Sequence, residues 1–151
     1  MELVQLVTFE LADEMYGIDV FKVNSVARYQ KINHMPDSAN IIEGVIDLRG
    51  DVIPVVDLHK RFHLEPPSTY KKTRIIITES KGYLFGFIVG KVHDVCSFSL
   101  SEFRSVPPGV NHSSAEFMVG ITHKDQHLLT YLDIDQVLDI EQLLGHQTAH
   151  G

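Results

Sequence analysis

Hydrophobic and polar residues alternate with a period of two through most of the chain. Val7, Phe9 and Leu11 alternate with Thr8 and Glu10, Asp13-Glu14 interrupts the run, and Tyr16, Ile18 and Val20 then share a face, so the chain opens as a β-meander. Val23 and Val26 follow, and Tyr29 to Asn40, with Met35-Pro36-Asp37 inside it, has the composition of a loop. The densest apolar stretch is Gly44 to Leu58, GVIDLRGDVIPVVDL, two runs joined across Arg49-Gly50-Asp51. Gly-Asp between apolar runs predicts a hairpin. In its second run Val52, Pro54, Val56 and Leu58 fall on one face and Ile53, Val55 and Asp57 on the other, which predicts a strand covered on both sides in a small barrel. Pro54 lacks an N–H and is expected at an edge or a bulge. Asp47 and Arg49 share a face with Val45, so a guanidinium is expected at the hairpin tip.

After a short basic turn, Pro66-Pro67-Ser68-Thr69 reads as a linker, and the pattern then starts again. Arg74 to Glu79 is a β-branched run, Ser80-Lys81-Gly82 a turn, and Tyr83, Phe85, Phe87 and Val89 alternate with Leu84, Gly86 and Ile88. Gly17-x4-Lys22-Val23-x2-Val26 recurs as Gly86-x4-Lys91-Val92-x2-Val95, an offset of 69 (86 − 17), while Gly44 and Asp57 match Gly120 and Asp133 at 76 (120 − 44). The second half therefore carries seven extra residues, expected in the loop-like Pro107-Pro108-Gly109 to Ser114. The expected division is a first barrel-like half over 1–67 and a second over 68–145. After a strand from Leu128 to Leu132 the period becomes helical, with Asp133 as N-cap, Ile134, Val137, Leu138 and Leu144 on one face, Gly145 as the stop, and 146–151 as a frayed tail.

The composition of this 151-residue chain, 44% apolar with a formal charge of −7, fits one globular domain and argues against a nucleic-acid partner or an anionic membrane surface. The basic clusters Lys60-Arg61 and Lys71, Lys72 and Arg74 are short, as solvated loop charges are. No run is long enough for a transmembrane helix and the N-terminus opens on a strand pattern, so direct membrane insertion is not expected and the expected compartment is cytoplasmic. The single cysteine, Cys96, excludes an internal disulfide and a multi-thiolate zinc site; it is expected as a small buried apolar residue away from any cation.

A search for catalytic constellations finds none. There is no G-x-S-x-G elbow, and Gly86 to Lys91 is one residue short of a phosphate loop and lies in a strand. His59/His63, His123/His127 and His146/His150 are spaced four apart, a metal-compatible spacing, but only the first pair has a further ligand, Asp57, close in sequence. Surface histidines are the simpler reading. Asp133, Asp135 and Asp139 suit the start of a helix. No catalytic residue, metal or cofactor is therefore expected. What remains is a guanidinium at a glycine hairpin. It suits either bidentate capture of a partner carboxylate or a local salt bridge to Asp47 or Asp51.

The segment from Gly44 to Leu58 resembles the core signature of the CheW family of bacterial chemotaxis coupling proteins. Tyr16-Gly17-Ile18-Asp19 with Lys22-Val23, Val92-x-Asp94-Val95, Ser99-Leu100-Ser101 and Leu132-Asp133-Ile134-Asp135 resemble further family blocks in the same order. The resemblance spans nearly the whole chain, 1–151, as a single CheW-like domain. It implies an all-β fold of two tandem five-stranded SH3-like barrels around a shared groove, with a short C-terminal helix. It also implies a non-enzymatic adaptor that joins chemoreceptor (methyl-accepting chemotaxis protein) tips to the regulatory domain of the histidine kinase CheA, cytoplasmic and recruited to membrane receptor arrays. By resemblance Arg49 and Gly50 occupy coupling positions, and Val23 and Val26 line the receptor-facing side. Ser25 stands where the family commonly has an acidic residue, and Glu43 where a basic one is sometimes found. The expected partner-binding set is Val23, Ser25, Val26, Glu43, Gly44, Arg49 and Gly50. An adaptor of another receptor-kinase pathway, such as surface motility, is the first alternative, and a histidine-based metal protein or enzyme the remote one.

Overall fold

The structure is a computed structural model and describes residues 2–35, 41–107, 109 and 116–139. Within these residues ten strands and two short α-helices follow in order: β1 (Leu3–Leu11), β2 (Glu14–Asp19), β3 (Val23–Arg28), β4 (Gly44–Leu48), β5 (Asp51–Asp57), α1 (Leu58–Arg61), β6 (Arg74–Ser80), β7 (Tyr83–Val89), β8 (Val92–Ser99), β9 (Met118–Lys124), β10 (His127–Leu132) and α2 (Ile134–Leu138). The strands form two five-stranded sheets, ordered β8-β1-β2-β10-β9 and β3-β6-β7-β5-β4. The fold is all-β with a small C-terminal helix.

Each sheet draws strands from both halves of the sequence. The division at 67/68 follows the repeat, but β1 and β2 pair into the sheet of β8 to β10, and β6 and β7 into that of β3 to β5. Under the offsets of 69 and 76 one sheet maps onto the other with its register intact. Val26↔Ile76 becomes Val95↔Val7, Ile77↔Gly86 becomes Thr8↔Gly17, and Val55↔Gly86 becomes Tyr131↔Gly17. Even the irregularity recurs, at Val23/Ser25 in β3 and at Val7/Phe9 opposite β8. Each sheet rolls up through one added bridge, Asn33↔Val45 and Arg104↔Ile121, both paired by two 2.8 Å bonds. These bridges are offset by 71 (104 − 33), so two of the seven extra residues precede Arg104 and five follow it. Most of the expected insertion loop, 108 and 110–114, lies outside the described residues.

Period-two alternation sorts side chains into three cores. Ile46, Ile53, Val55, Ile75, Ile77 and Ile88 fill the interior of the β3–β7 sheet, and Leu6, Phe98 and Leu129 that of the other. Residues of opposite parity, including Val7, Phe9, Leu11, Val56, Ile76, Phe85, Phe87 and Val89, form the largest cluster between the sheets. Double-sided burial of β5 therefore holds, but Pro54 lies in an inner strand rather than at an edge. Its partner Val45 bonds Asn33 instead, so the Pro54 nitrogen points away from β4, to a side where the β7 ladder begins only at Val55. The missing N–H thus breaks no ladder bond.

Both helices are single capped turns against the central core. Asp57 accepts the His59 N–H at 2.9 Å and Asp133 the Asp135 N–H at 3.1 Å, equivalent caps 76 residues apart. The second helix ends at Asp139 in the left-handed region, with φ +50°. Of the expected aspartate series, only Asp133 and Asp135 sit at the helix start. The expected extension to Leu144-Gly145 and the tail lie outside the described residues.

Candidate functional site

The β4–β5 connection is the two-residue turn Arg49-Gly50, with φ +55° and +88°. Positive φ at both positions is the type I′ geometry whose twist suits a two-residue hairpin, and glycine removes the strain at the second. The Asp47 carboxylate accepts the Gly50 N–H at 3.1 Å and fixes the turn. Asp47 therefore serves the backbone rather than the neighbouring guanidinium. The Arg49 side chain is exposed and has no ion pair among the described residues.

Residues around the hairpin base have different roles. Gly44 is buried, and a Cβ there would lie 2.5 Å from the Asn33 carbonyl oxygen and 2.7 Å from Ile32 Cγ2, so its place in the sequence is explained by barrel closure. Glu43 is held by Lys60, whose Nζ lies 2.7 and 2.9 Å from its two carboxylate oxygens; this bond raises the Lys60 pKa against the lowering effect of burial. Val23, Ser25 and Val26 lie on β3, the opposite outer strand of the same sheet, with Ser25 and Val26 exposed and Val23 half-buried against the central core. The fold thus gathers the expected partner-binding residues on one sheet but divides them between its two outer strands.

Sequence reasoning missed the part played by α1. His59 is 3% and Asp57 4% exposed, and His59 Nδ1 lies 2.9 Å from Asp57 Oδ1. The expectation of a surface histidine fails for His59, because the same aspartate that caps α1 also takes its imidazole. Asp57 immediately after a β-branched run and two residues before His59 was the available signal. Further along, Arg61 Nε donates to the Val137 carbonyl of α2 at 3.1 Å and its guanidinium lies 4.4 Å from the Phe117 ring centroid, while burial lowers its pKa. A cavity of about 190 Å³ lined by Ile41, Glu43, Asp57, Lys60, Arg61 and His63 adjoins this helix.

His123 and His127 are both exposed and flank the β9–β10 turn, and His146/His150 lies outside the described residues. Among the described residues no three His, Cys, Asp or Glu side chains converge as metal ligands would. Cys96 is only partly buried and its thiol donates to the Asp94 carbonyl at 3.9 Å, while its interaction with the nearby Lys124 raises the lysine pKa. The expectation of a cysteine remote from any cation is therefore corrected: register brings β9 around to β8 through β1, β2 and β10. No helix among the described residues is long and apolar enough to cross a membrane.

The CheW-like domain profile matches residues 5–142. The chemotaxis protein CheW of Bacillus subtilis is 35% identical over 91% of this chain and 88% of its own, and that of Treponema pallidum 31% identical over 92% and 84%. Among solved structures, the scaffolding protein TtCheW from Thermoanaerobacter tengcongensis superposes with a TM-score of 0.77 at 36% identity, covering 87% of this chain and 85% of the other. A profile match that takes in nine strands and most of β1, together with relatives alike over nearly their full length, places the chain in the CheW-like domain family.

Proposed function

We propose that this protein is a non-enzymatic adaptor of bacterial chemotaxis, coupling the cytoplasmic tips of chemoreceptors to the regulatory domain of the histidine kinase CheA. One observation carries most weight: an exposed guanidinium without an ion-pair partner among the described residues, mounted on a type I′ turn locked by Asp47. A side chain presented from a fixed backbone loses little freedom on binding, and a planar guanidinium suits bidentate capture of a carboxylate. The names of relatives alike over nearly the whole chain support the pathway, and the exposed Ser25 and Val26 edge supports a second contact on the same sheet. Interfaces of this kind are modest singly and gain strength in an array, which fits a scaffold recruited to membrane receptors from the cytoplasm.

Calorimetric titration with the CheA regulatory domain and with a receptor-tip fragment from the same organism tests the reading. Saturable binding to both is expected, with Arg49→Glu weakening at least one by about tenfold or more, the equivalent of a lost charge-assisted contact. Its melting temperature should stay within about 2 °C of wild type, as expected for an exposed side chain. A folded protein that binds neither fragment overturns the proposal.

A further inference from the structure

Asp57 and Asp133 cap their helices in the same way, yet the Asp133 carboxylate is half-exposed and that of Asp57 is 4% exposed. Period two explains the burial: Ile53, Val55 and Asp57 point in turn into the rolled β3–β7 sheet, so Asp57 ends the inward-facing row at the mouth of that barrel. Both of its hydrogen bonds, from the His59 N–H and with His59 Nδ1, fall on Oδ1. Oδ2 accepts none among the described residues. A buried carboxylate oxygen without a donor is costly, and capping does not require it, because the half-exposed Asp133 caps as well.

Asp57 is also part of the wall of the cavity beside α1, whose volume of about 190 Å³ gives room for about six waters. Glu43, Lys60 and Arg61 line the same space. Lys60 is committed to Glu43, with Nζ at 2.7 and 2.9 Å from the two carboxylate oxygens. Arg61 is only partly committed: Nε donates to the Val137 carbonyl, while its terminal N–H groups make no hydrogen bond or ion pair among the described residues. Glu116 and Asp139 oppose the lowering of its pKa by burial through their charge alone. One cavity therefore holds a buried acceptor and a fork of donors that the fold leaves unused, at a barrel mouth, where small ligands commonly bind. At an offset of 76, Glu43, Lys60 and Arg61 become Val119, Gln136 and Val137. The second barrel keeps the capping aspartate and none of the three charges around it.

We infer that the mouth of the first barrel is a binding site for a small zwitterion of the α-amino acid class, its ammonium donating to Asp57 Oδ2 and its carboxylate gripped by Arg61. A plain anion leaves Oδ2 without a donor, and a plain amine leaves the guanidinium unanswered. Only a ligand carrying both charges satisfies both walls. Lys60 neutralises Glu43 and so admits the ligand carboxylate, and the volume restricts the ligand to a short side chain. The site lies at the opposite end of β5 from the Arg49 turn and is independent of the adaptor reading.

Calorimetric titration of the full chain with L-alanine, propionate and ethylamine tests the assignment, the last two being alanine without its ammonium and without its carboxylate. Alanine should bind saturably in the millimolar range, and each single-charge analogue at least about tenfold more weakly, as for the loss of one charge-assisted contact. Arg61→Gln should remove alanine binding. Because Arg61 also ties α1 to α2, amide chemical shifts of the wild type locate the site independently: changes on adding alanine should cluster at 41–43 and 57–63 and spare the Arg49 turn. A folded wild type that does not bind alanine overturns the inference, as does equal affinity for propionate or ethylamine, or a set of shifted amides remote from the barrel mouth.

Discussion

At the β4–β5 hairpin the chain turns through Arg49-Gly50; at the equivalent β9–β10 hairpin, 76 residues on, it turns through Asp125-Gln126, with φ +51° and +69°. The backbone is the same and the charge is reversed. On the outer strands Ser25 corresponds to Asp94 and Asn24 to His93, and a cleft of about 300 Å³ on the second sheet is lined by Glu10, Asp13, Asp94 and Asp125 together with His93, Lys124 and His127. Elsewhere the correspondence is close: exposed Val26 and Val52 match exposed Val95 and Leu128, while the bridges, bulges and caps have their counterparts. Hydrogen-bond register and core volume constrain the interior of both sheets alike. Exposed tips carry no such constraint, and that is where the halves differ in charge.

The sharpest way to break this equivalence is at its closure points. Gly44 and Gly120 both face a bridging carbonyl, but an added Cβ would lie 2.5 Å from the Asn33 oxygen in one and 3.0 Å from the Arg104 oxygen in the other. Gly44→Ala is expected to cost about 3 kcal/mol and Gly120→Ala about 1 kcal/mol, since a backbone oxygen inside a rolled sheet yields less easily than one at the edge of contact distance. Urea unfolding measures both. Equal losses would mean that the two barrels close with the same clearance.

Most of this symmetry was readable in the chain. Gly17 and Gly86, Lys22-Val23 and Lys91-Val92, and Asp57 and Asp133 locate equivalent strands and caps because each answers a backbone requirement that side-chain identity records. The exchange of strands between sheets was not readable, since period-two alternation gives the parity of a residue and not the strand beside it. At the site, the Arg49-Gly50 turn was legible from its glycine. The burial of His59 was not, because it depends on α1 being pressed into the central core, and the Glu43 ion pair was not, because it joins residues 17 apart.

A smaller effect separates the two helices that fasten the sheets together. In α1 the second residue after the cap is the buried His59; in α2 it is Asp135, which bonds Ser80 and Lys22. Burial raises the Asp135 pKa, but the Ser80 hydrogen bond and Lys22 outweigh it and hold the carboxyl below its ordinary value. A depressed folded pKa contributes stability that is present above the unfolded value, about 3.9, and is lost as pH falls through the folded one. Asp135→Asn should therefore cost less than about 1 kcal/mol at pH 7, discounted because the pair is partly exposed, and nothing at about pH 2. A pH series of urea midpoints checks this; a cost that persists in acid would mean that shape rather than charge joins α2 to β6.

The smallest change makes the second hairpin more like the first. Gln126 adopts φ +69° where the first turn has Gly50 at +88°, so a residue with a Cβ holds a left-handed conformation that glycine adopts without strain. Gln126→Gly creates an Asp-Gly type I′ turn and is expected to stabilise the fold by about 0.5 kcal/mol, because relief of strain exceeds the added freedom of the unfolded chain. Gly50→Gln should do the reverse at the first hairpin. Opposite shifts of similar size in the urea midpoint would show that the two turns differ in side chain and not in backbone demand. A destabilised Gln126→Gly would instead assign the glutamine a contact of its own, and with it a reason why the acidic end of the molecule dispensed with glycine where the Arg49 end kept it.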